Sequence, residues 1–199
     1  MAANRDDARA EIVRCCTRLW QRHLVTGTSG NVSLRLDDGD VLVTPSGRSL
    51  EALGIDEIVL VDPAGRPRED RRPTSELALH LAAYRVRPDA RCVVHTHPTF
   101  CVVWSRTGCV FPQDTVGARE TLGPVGWTRY FPPGSAELAG CCRDEFARGV
   151  DTVLMERHGL SAIGASLDEA FALTDLAEEA ARIAYYASLA GHPLDTGAA

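Results

Sequence analysis

His95 and His97 stand two residues apart at the end of the apolar run Cys92-Val93-Val94-His95-Thr96-His97-Pro98. A strand sends alternate side chains to opposite faces, so both imidazoles would leave the same one. Two imidazoles side by side at a strand end can share a metal ion, although a surface or core pair is the commoner meaning of so short a pattern. Glu76, in the first turn of an expected helix, and His158, just after a short expected strand, shift that balance. Three neutral imidazoles with an oxygen ligand or an open position suit zinc. A divalent ion so held polarises a carbonyl or hydroxy-ketone and stabilises an enediolate. Alone, Glu76 would read as a helix-dipole or capping carboxylate. His80 lies four residues on, and it reads as a packed or hydrogen-bonded histidine rather than a ligand.

Composition narrows the chemistry further. All 21 basic residues are arginine. A lysine Schiff base and a P-loop lysine are therefore excluded, and carbonyl chemistry would need a metal or an acid–base pair. The net charge of -6 argues against nucleic acid. A phosphorylated small molecule stays open, because backbone N–H groups and one arginine can hold it. No apolar run approaches the roughly 20 residues that span a bilayer. Met1 to Asp7 lacks the apolar core of a signal peptide. The seven cysteines form no Cys-x-x-Cys pair and are odd in number, which fits reduced thiols in the cytoplasm. The 199 residues, 45% of them hydrophobic, are expected to form one domain over 1–199.

The elements that must position these side chains follow from periodicity and punctuation. A helix is expected over 5–24, with Ala8, Ile12, Cys15, Cys16, Leu19 and Trp20 on one face. Thr26-Gly27-Thr28-Ser29-Gly30-Asn31 is then either an anion-binding turn or an ordinary helix C-terminal turn. Strands are expected over 32–36 and 41–44 as a hairpin, and over 58–61. A second small turn runs from Thr44 to Arg48, and a surface loop covers 64–73. Thr74 or Ser75 would cap a helix to about Val86, and Pro88-Asp89 would break it before the His-x-His strand. A helix over 99–105, a strand over 125–130 and a Ser135-capped helix to about Arg148 follow, while 106–124 resists assignment. Thr152 to Met155 reads as a buried strand, and Gly159 beside His158 would permit an unusual dihedral or a close approach. Ser166-Leu167-Asp168-Glu169 is a capping box opening a helix to about Ala190, with a mobile tail over 190–199.

Taken in order, several short motifs make the chain resemble the class II aldolase/adducin family, and within it the L-fuculose-1-phosphate aldolase-like branch. They are Gly27-Thr28-Ser29-Gly30-Asn31-Val32-Ser33, Val43-Thr44-Pro45-Ser46-Gly47, Pro73-Thr74-Ser75-Glu76 with His80 and Tyr84 behind it, Arg87-Pro88-Asp89-Ala90, Val94-His95-Thr96-His97 and His158-Gly159-Leu160. The resemblance spans roughly Ala8 to Ala190. It implies an α/β fold with three α/β/α layers around a mainly antiparallel sheet, and a C4 homotetramer with sites at subunit interfaces. It implies that His95, His97 and His158 bind Zn2+, with Mn2+, Co2+ or Fe2+ as substitutes, and that Glu76 is the acid–base residue. Gly30, Asn31, Ser46, Gly47, Thr74 and Ser75 would hold the substrate phosphate. The implied reaction joins or splits dihydroxyacetone phosphate and an aldehyde, with Glu76 moving a C3 proton through an enediolate.

The chain departs from that branch at one place. The stretch Val110 to Gly117 lacks the tyrosine that would protonate the aldehyde oxygen. Asp114, Glu120 and Tyr130 are the candidates to replace it, each otherwise a surface charge or a packed aromatic. The same pattern serves sugar-acid phosphate decarboxylases, pentulose phosphate 4-epimerases and dehydratases; a decarboxylase would need Arg119 or Arg48 for the substrate carboxylate. Adducin-like members share the fold as non-catalytic binding proteins, a reading that loss of the metal ligands would mark.

Overall fold

The computed structural model describes residues 5–193. Seven strands form one sheet: β1 (Asn31–Arg35), β2 (Val41–Val43), β3 (Val59–Val61), β4 (Cys92–Thr96), β5 (Val125–Thr128), β6 (Thr152–Met155) and β7 (Gly159–Gly164). Their order is β3-β2-β1-β4-β7-β6-β5, and neighbours are antiparallel except β5 with β6. The expected mainly antiparallel α/β architecture is therefore present.

Side-chain alternation sorts the helices into two outer layers. Val32, Leu34, Leu42 and Val94 face α1 (Arg5–Gln21). Further along the same face, Leu160 and Ala162 pack on α3 (Thr99–Trp104) and α5 (Leu167–Leu189). Val41, Val43, Val93 and Ile163 point the other way, against α2 (Leu77–Val86) and α4 (Ala136–Ala147). Each fully buried large side chain, such as Ile12, Leu42 or Phe146, contributes about 1.5–3 kcal/mol by leaving water. His95 lies two residues after Val93, and Asn31 and Ser33 face His95 and Val93 across β1. Polar side chains from β1 and β4 therefore gather under α2.

Several boundaries differ from expectation for identifiable reasons. α1 stops at Gln21 because His23 turns left-handed at φ 57. The amides of His23 and Leu24 then bond back to Trp20 and Leu19, the paired bonds that close a helix. α2 starts at Leu77, later than a Thr74 or Ser75 cap would give; Thr74 Oγ1 accepts from the Glu76 amide at 3.3 Å. Glu76 itself occupies the N-cap position, outside the first turn, and its side chain makes no capping bond. The capping interpretation of Glu76 is thus corrected. In α5 the Ser166 hydroxyl accepts from Glu169 as expected, but the Glu169 carboxylate accepts from the Ala165 amide instead of Ser166. Trp20, expected on the apolar face of α1 with Ala8, Ile12, Cys15, Cys16 and Leu19, is exposed.

Two features went unassigned in the sequence. β7 begins and ends in glycine and mixes Ser161 and Ala162 with Leu160 and Ile163, so it lacks a strand signature, yet it is buried along its whole length between β4 and β6. The stretch 106–124 contains a π-helical turn, Ala118–Leu122, lying on α5. Of the tail expected to be mobile, residues 194–199 lie outside the described residues. Among the described residues no helix is long and apolar enough to cross a membrane.

Candidate metal centre

β4 delivers His95 near its end and His97 just beyond it. The His97 amide donates to the Leu24 carbonyl at 3.0 Å, which ties this exit to the turn after α1. His158 sits in the tight turn between β6 and β7. There Arg157 takes φ 56, so the left-handed residue is Arg157 and not Gly159. Gly159 instead provides the close approach: a Cβ there would lie 2.2 Å from the Thr96 carbonyl oxygen. Two chain exits can then lie against each other and present their histidines together.

The three rings form a near-equilateral group, with centroids 4.8, 5.0 and 4.9 Å apart. Glu76 closes it. Its Oε2 lies 2.8 Å from His95 Nε2, and its Oε1 lies 3.5 Å from His158 Nε2. One ligand atom from each of Glu76, His95, His97 and His158 falls within 4.8 Å of all the others.

Hydrogen bonding tests whether a cation fits. His95 Nδ1 lies 3.0 Å from the Leu160 carbonyl, which can only accept. Nδ1 therefore carries hydrogen, and a neutral ring leaves Nε2 with a lone pair. That Nε2 lies 2.9 Å from His97 Nε2 and 2.8 Å from the Glu76 carboxylate. A proton on Nε2 could serve only one of these neighbours, whereas a cation satisfies all of them. Glu76 Oε1 is likewise buried without a hydrogen-bond partner, 3.5 Å from His158 Nε2. The residues present thus fit a divalent metal.

The electrostatics agree with this donor set. Burial, reinforced by His95, pushes His97 down to about 3 and His158 down to about 4, so both rings are neutral near pH 7. Burial pushes the Glu76 carboxyl up, but His95, followed by His158 and Asn31, outweighs it and holds the group well below the usual carboxylate range. His80 is not part of the cluster. It is fully buried and hydrogen-bonded to Ser33 and Asn31, as a packed histidine should be.

Above the cluster opens a cleft of about 150 Å³. Gly30, Asn31, Ser46, Gly47, Thr74 and Ser75 all line it, together with Glu76, His97 and His158. Gly30 and Gly47 have φ 79 and 73, the left-handed turns that bring backbone close to the opening. Sequence reasoning missed Thr28, Ser29, Pro45 and Pro133, which complete the rim. Thr28 and Ser29 lie inside the small polar turn already singled out. Pro133 arrives through the Pro132-Pro133-Gly134 turn, where Gly134 closes on the Ser75 carbonyl.

Within the single chain Asp114, Glu120 and Tyr130 lie elsewhere. Asp114 lines a separate cavity with Trp104, Phe111 and Arg119, and Glu120 is exposed on the π-helical turn. Tyr130 is half-exposed, with the Arg157 guanidinium 4.5 Å from its ring centroid. Arg48 pairs with Glu57 at 2.8 Å, and the Arg119 guanidinium donates to the Gln113 carbonyl at 2.8 Å.

Comparison with known proteins bears on the same residues. The sequence model of the Class II Aldolase and Adducin N-terminal domain matches residues 10–185. An L-fuculose phosphate aldolase of Methanococcus vannielii is 36% identical over 176 residues, covering 87% of this chain and 93% of its own. A 3-oxo-tetronate 4-phosphate decarboxylase of Pectobacterium atrosepticum is 32% identical over 186 residues, covering 89% of this chain and 84% of its own. Among solved structures, Escherichia coli YgbL, a provisionally assigned aldolase/epimerase/decarboxylase, superposes with a TM-score of 0.87 at 29% identity. That match covers 96% of this chain and 93% of YgbL.

Proposed function

The chain belongs to the class II aldolase and adducin family, and from that membership we propose that it is a divalent-metal-dependent aldolase acting on a sugar phosphate. One observation carries the reading: Glu76, His95, His97 and His158 converge, and Glu76, His97 and His158 line a cleft whose rim is built from small hydroxyl and glycine turns. An adducin-like binding protein would have no need of such a donor set, and the sequence relatives named above are an aldolase and a decarboxylase.

In this proposal His95, His97 and His158 hold the ion, with Zn2+ the best match to three imidazoles and a carboxylate. When bound, the ion supplies Lewis-acid polarisation of a substrate carbonyl or hydroxyl. Glu76 takes the proton from the carbon beside that carbonyl. Oε2 is engaged by the Asn31 amide at 3.2 Å, so Oε1, which has no partner, is the oxygen free to receive it. The phosphate is held on the rim by the hydroxyls of Ser46, Thr74 and Ser75 and by backbone at Gly30 and Gly47. Among the described residues no arginine lines the cleft, so neutral donors from close-set turns replace a cation there. The 1–199 chain acts as one domain, a homotetramer in which a neighbouring subunit supplies the group that protonates the aldehyde oxygen. The free cysteines suit a reducing cytoplasm.

Decarboxylation of a sugar-acid phosphate is the second reading. The absence of a tyrosine from 110–117 favours it, as does the likeness to the Pectobacterium decarboxylase.

Proton exchange separates the two. Zinc-loaded protein incubated with dihydroxyacetone phosphate in D₂O should exchange one C3 proton, seen by NMR, and lose that activity on chelation. His97→Ala should lose both metal and exchange. Glu76→Gln should keep metal and lose exchange. Full exchange in either variant would refute the assignment. Metal retention without exchange in the wild type would move the choice to decarboxylation.

A further inference from the structure

Behind Glu76 runs a chain of buried polar side chains of which the reaction as proposed uses only the first, Asn31. Asn31 Nδ2 donates to Glu76 Oε2 at 3.2 Å. The other end of that amide, Oδ1, meets His80 Nε2. His80 Nδ1 lies 2.7 Å from Ser33 Oγ, and Ser33 Oγ lies 2.7 Å from the Tyr84 hydroxyl. Asn31, Ser33, His80 and Tyr84 are all buried, His80 and Ser33 completely.

The hydrogens in this chain have one consistent arrangement. A carboxylate only accepts, so Asn31 must offer it the amide nitrogen and turn its oxygen toward His80. That oxygen also only accepts, so His80 Nε2 carries hydrogen. No carboxylate touches the His80 ring, and burial holds the ring neutral, pushed down to about 3. Nδ1 is then an acceptor and takes the Ser33 hydroxyl hydrogen. Ser33 in turn accepts from Tyr84, whose single hydrogen favours this contact over the Arg91 carbonyl at 3.3 Å. Each donor points toward Glu76.

We propose that Tyr84, Ser33, His80 and Asn31 form a positioning network that fixes Glu76 Oε2 and leaves Oε1 to move the proton. The proposal rests on the reading of Glu76 as the acid–base residue. Ser33 anchors the His80 ring at Nδ1, the ring's Nε2–H holds the Asn31 oxygen, and the Asn31 amide holds the carboxylate. β1 provides both ends of this control, since Asn31 and Ser33 are the residues that face His95 and Val93 in β4. None of the four is a catalytic residue; each acts through the next.

Two variants test the network. Ser33→Ala removes the hydroxyl that anchors His80 Nδ1 at the cost of one small atom. His80→Phe removes the ring donors and keeps most of the volume. ¹⁵N NMR of the metal-free protein should show His80 protonated on Nε2, and Ser33→Ala should shift the Nδ1 resonance as that nitrogen loses its hydrogen bond. In zinc-loaded Ser33→Ala, proton exchange on dihydroxyacetone phosphate should slow roughly 10- to 100-fold, the range seen when a supporting hydrogen bond behind a site is lost. Zinc retention against a competing chelator and the thermal midpoint should stay close to wild type. If His80→Phe does not fold, Ser33→Ala decides alone. A wild-type His80 protonated on Nδ1 overturns the proposal, as does unchanged exchange in Ser33→Ala. If Glu76→Gln is inactive while Ser33→Ala is fully active, the network fails and the Glu76 reading stands. If Glu76→Gln is as active as wild type, the Glu76 reading fails and takes the network with it.

Discussion

A neutral buried imidazole binds a proton readily only after the chain unfolds, and His80 shows the consequence. Its folded pKa is about 3 against an ordinary 6.5, burial being the main cause. Between those values the unfolded state holds the extra proton. Stability should therefore be complete above pH 6.5 and fall as the pH drops toward 3. His97 and His158, lowered to about 3 and 4, act in the same direction. Denaturant titrations of metal-free protein from pH 7 to 4 should show this loss, and His80→Gln should flatten the slope by about one proton. At this scale the sequence was informative where chemistry is unusual. Histidines at element ends, and small hydroxyl residues between glycines, have few other uses in such numbers. Asn31 could be assigned to the cleft, but not to the back of Glu76, because that contact depends on how β1 is placed against α2.

Elements matter here mainly for how they end. Gly159 lets the β6–β7 turn lie against the exit of β4, and an added methyl would meet both the Thr96 carbonyl at 2.2 Å and His97 Cδ2 at 2.9 Å. Gly159→Ala should cost about 1–3 kcal/mol in denaturant titrations, as overpacking does. It should also weaken zinc binding in a chelator competition, because relief of the clash moves His97. Immediately after that exit, α3 begins without a side-chain cap from Pro98. Glu178 of α5 supplies one from a distance: its carboxylate accepts from the Phe100 and Cys101 amides at 3.0 and 2.9 Å. Glu178→Ala should lower stability by about 1 kcal/mol, with partial recovery in Glu178→Gln, measured by thermal unfolding. The caps of α4 and α5 were legible because Ser135 and Ser166 act on their own helices. The cap of α3 was not, because its partner lies 78 residues away. β7 escaped notice for a related reason: its burial comes from neighbours on both sides and not from an apolar alternation of its own.

At the scale of the molecule, the proposed ligands are spread across the sequence and are brought together by the middle of the sheet. Removal of the ion should therefore lower the midpoint of one cooperative transition instead of detaching a part. Calorimetry with and without a chelator should show a single peak that shifts; at free metal 100 times Kd the ion adds about 2.7 kcal/mol. The layer architecture was legible in the motifs as a set, whereas the strand order was not, since it depends on pairings between segments with no mutual signal in the chain. That order also has a consequence for synthesis. β4 lies between β1, already made when it appears, and β7, made some 60 residues later. A growing polypeptide that has passed His97 but not His158 holds three of the four site residues and an unpaired edge on its central strand. The last ligand and the strand that seals this edge arrive within a few residues of each other, His158 and then Gly159–Gly164. A complete set of ligands is thus available only to a chain about to close its sheet, so metal capture should mark the end of folding and not guide its beginning.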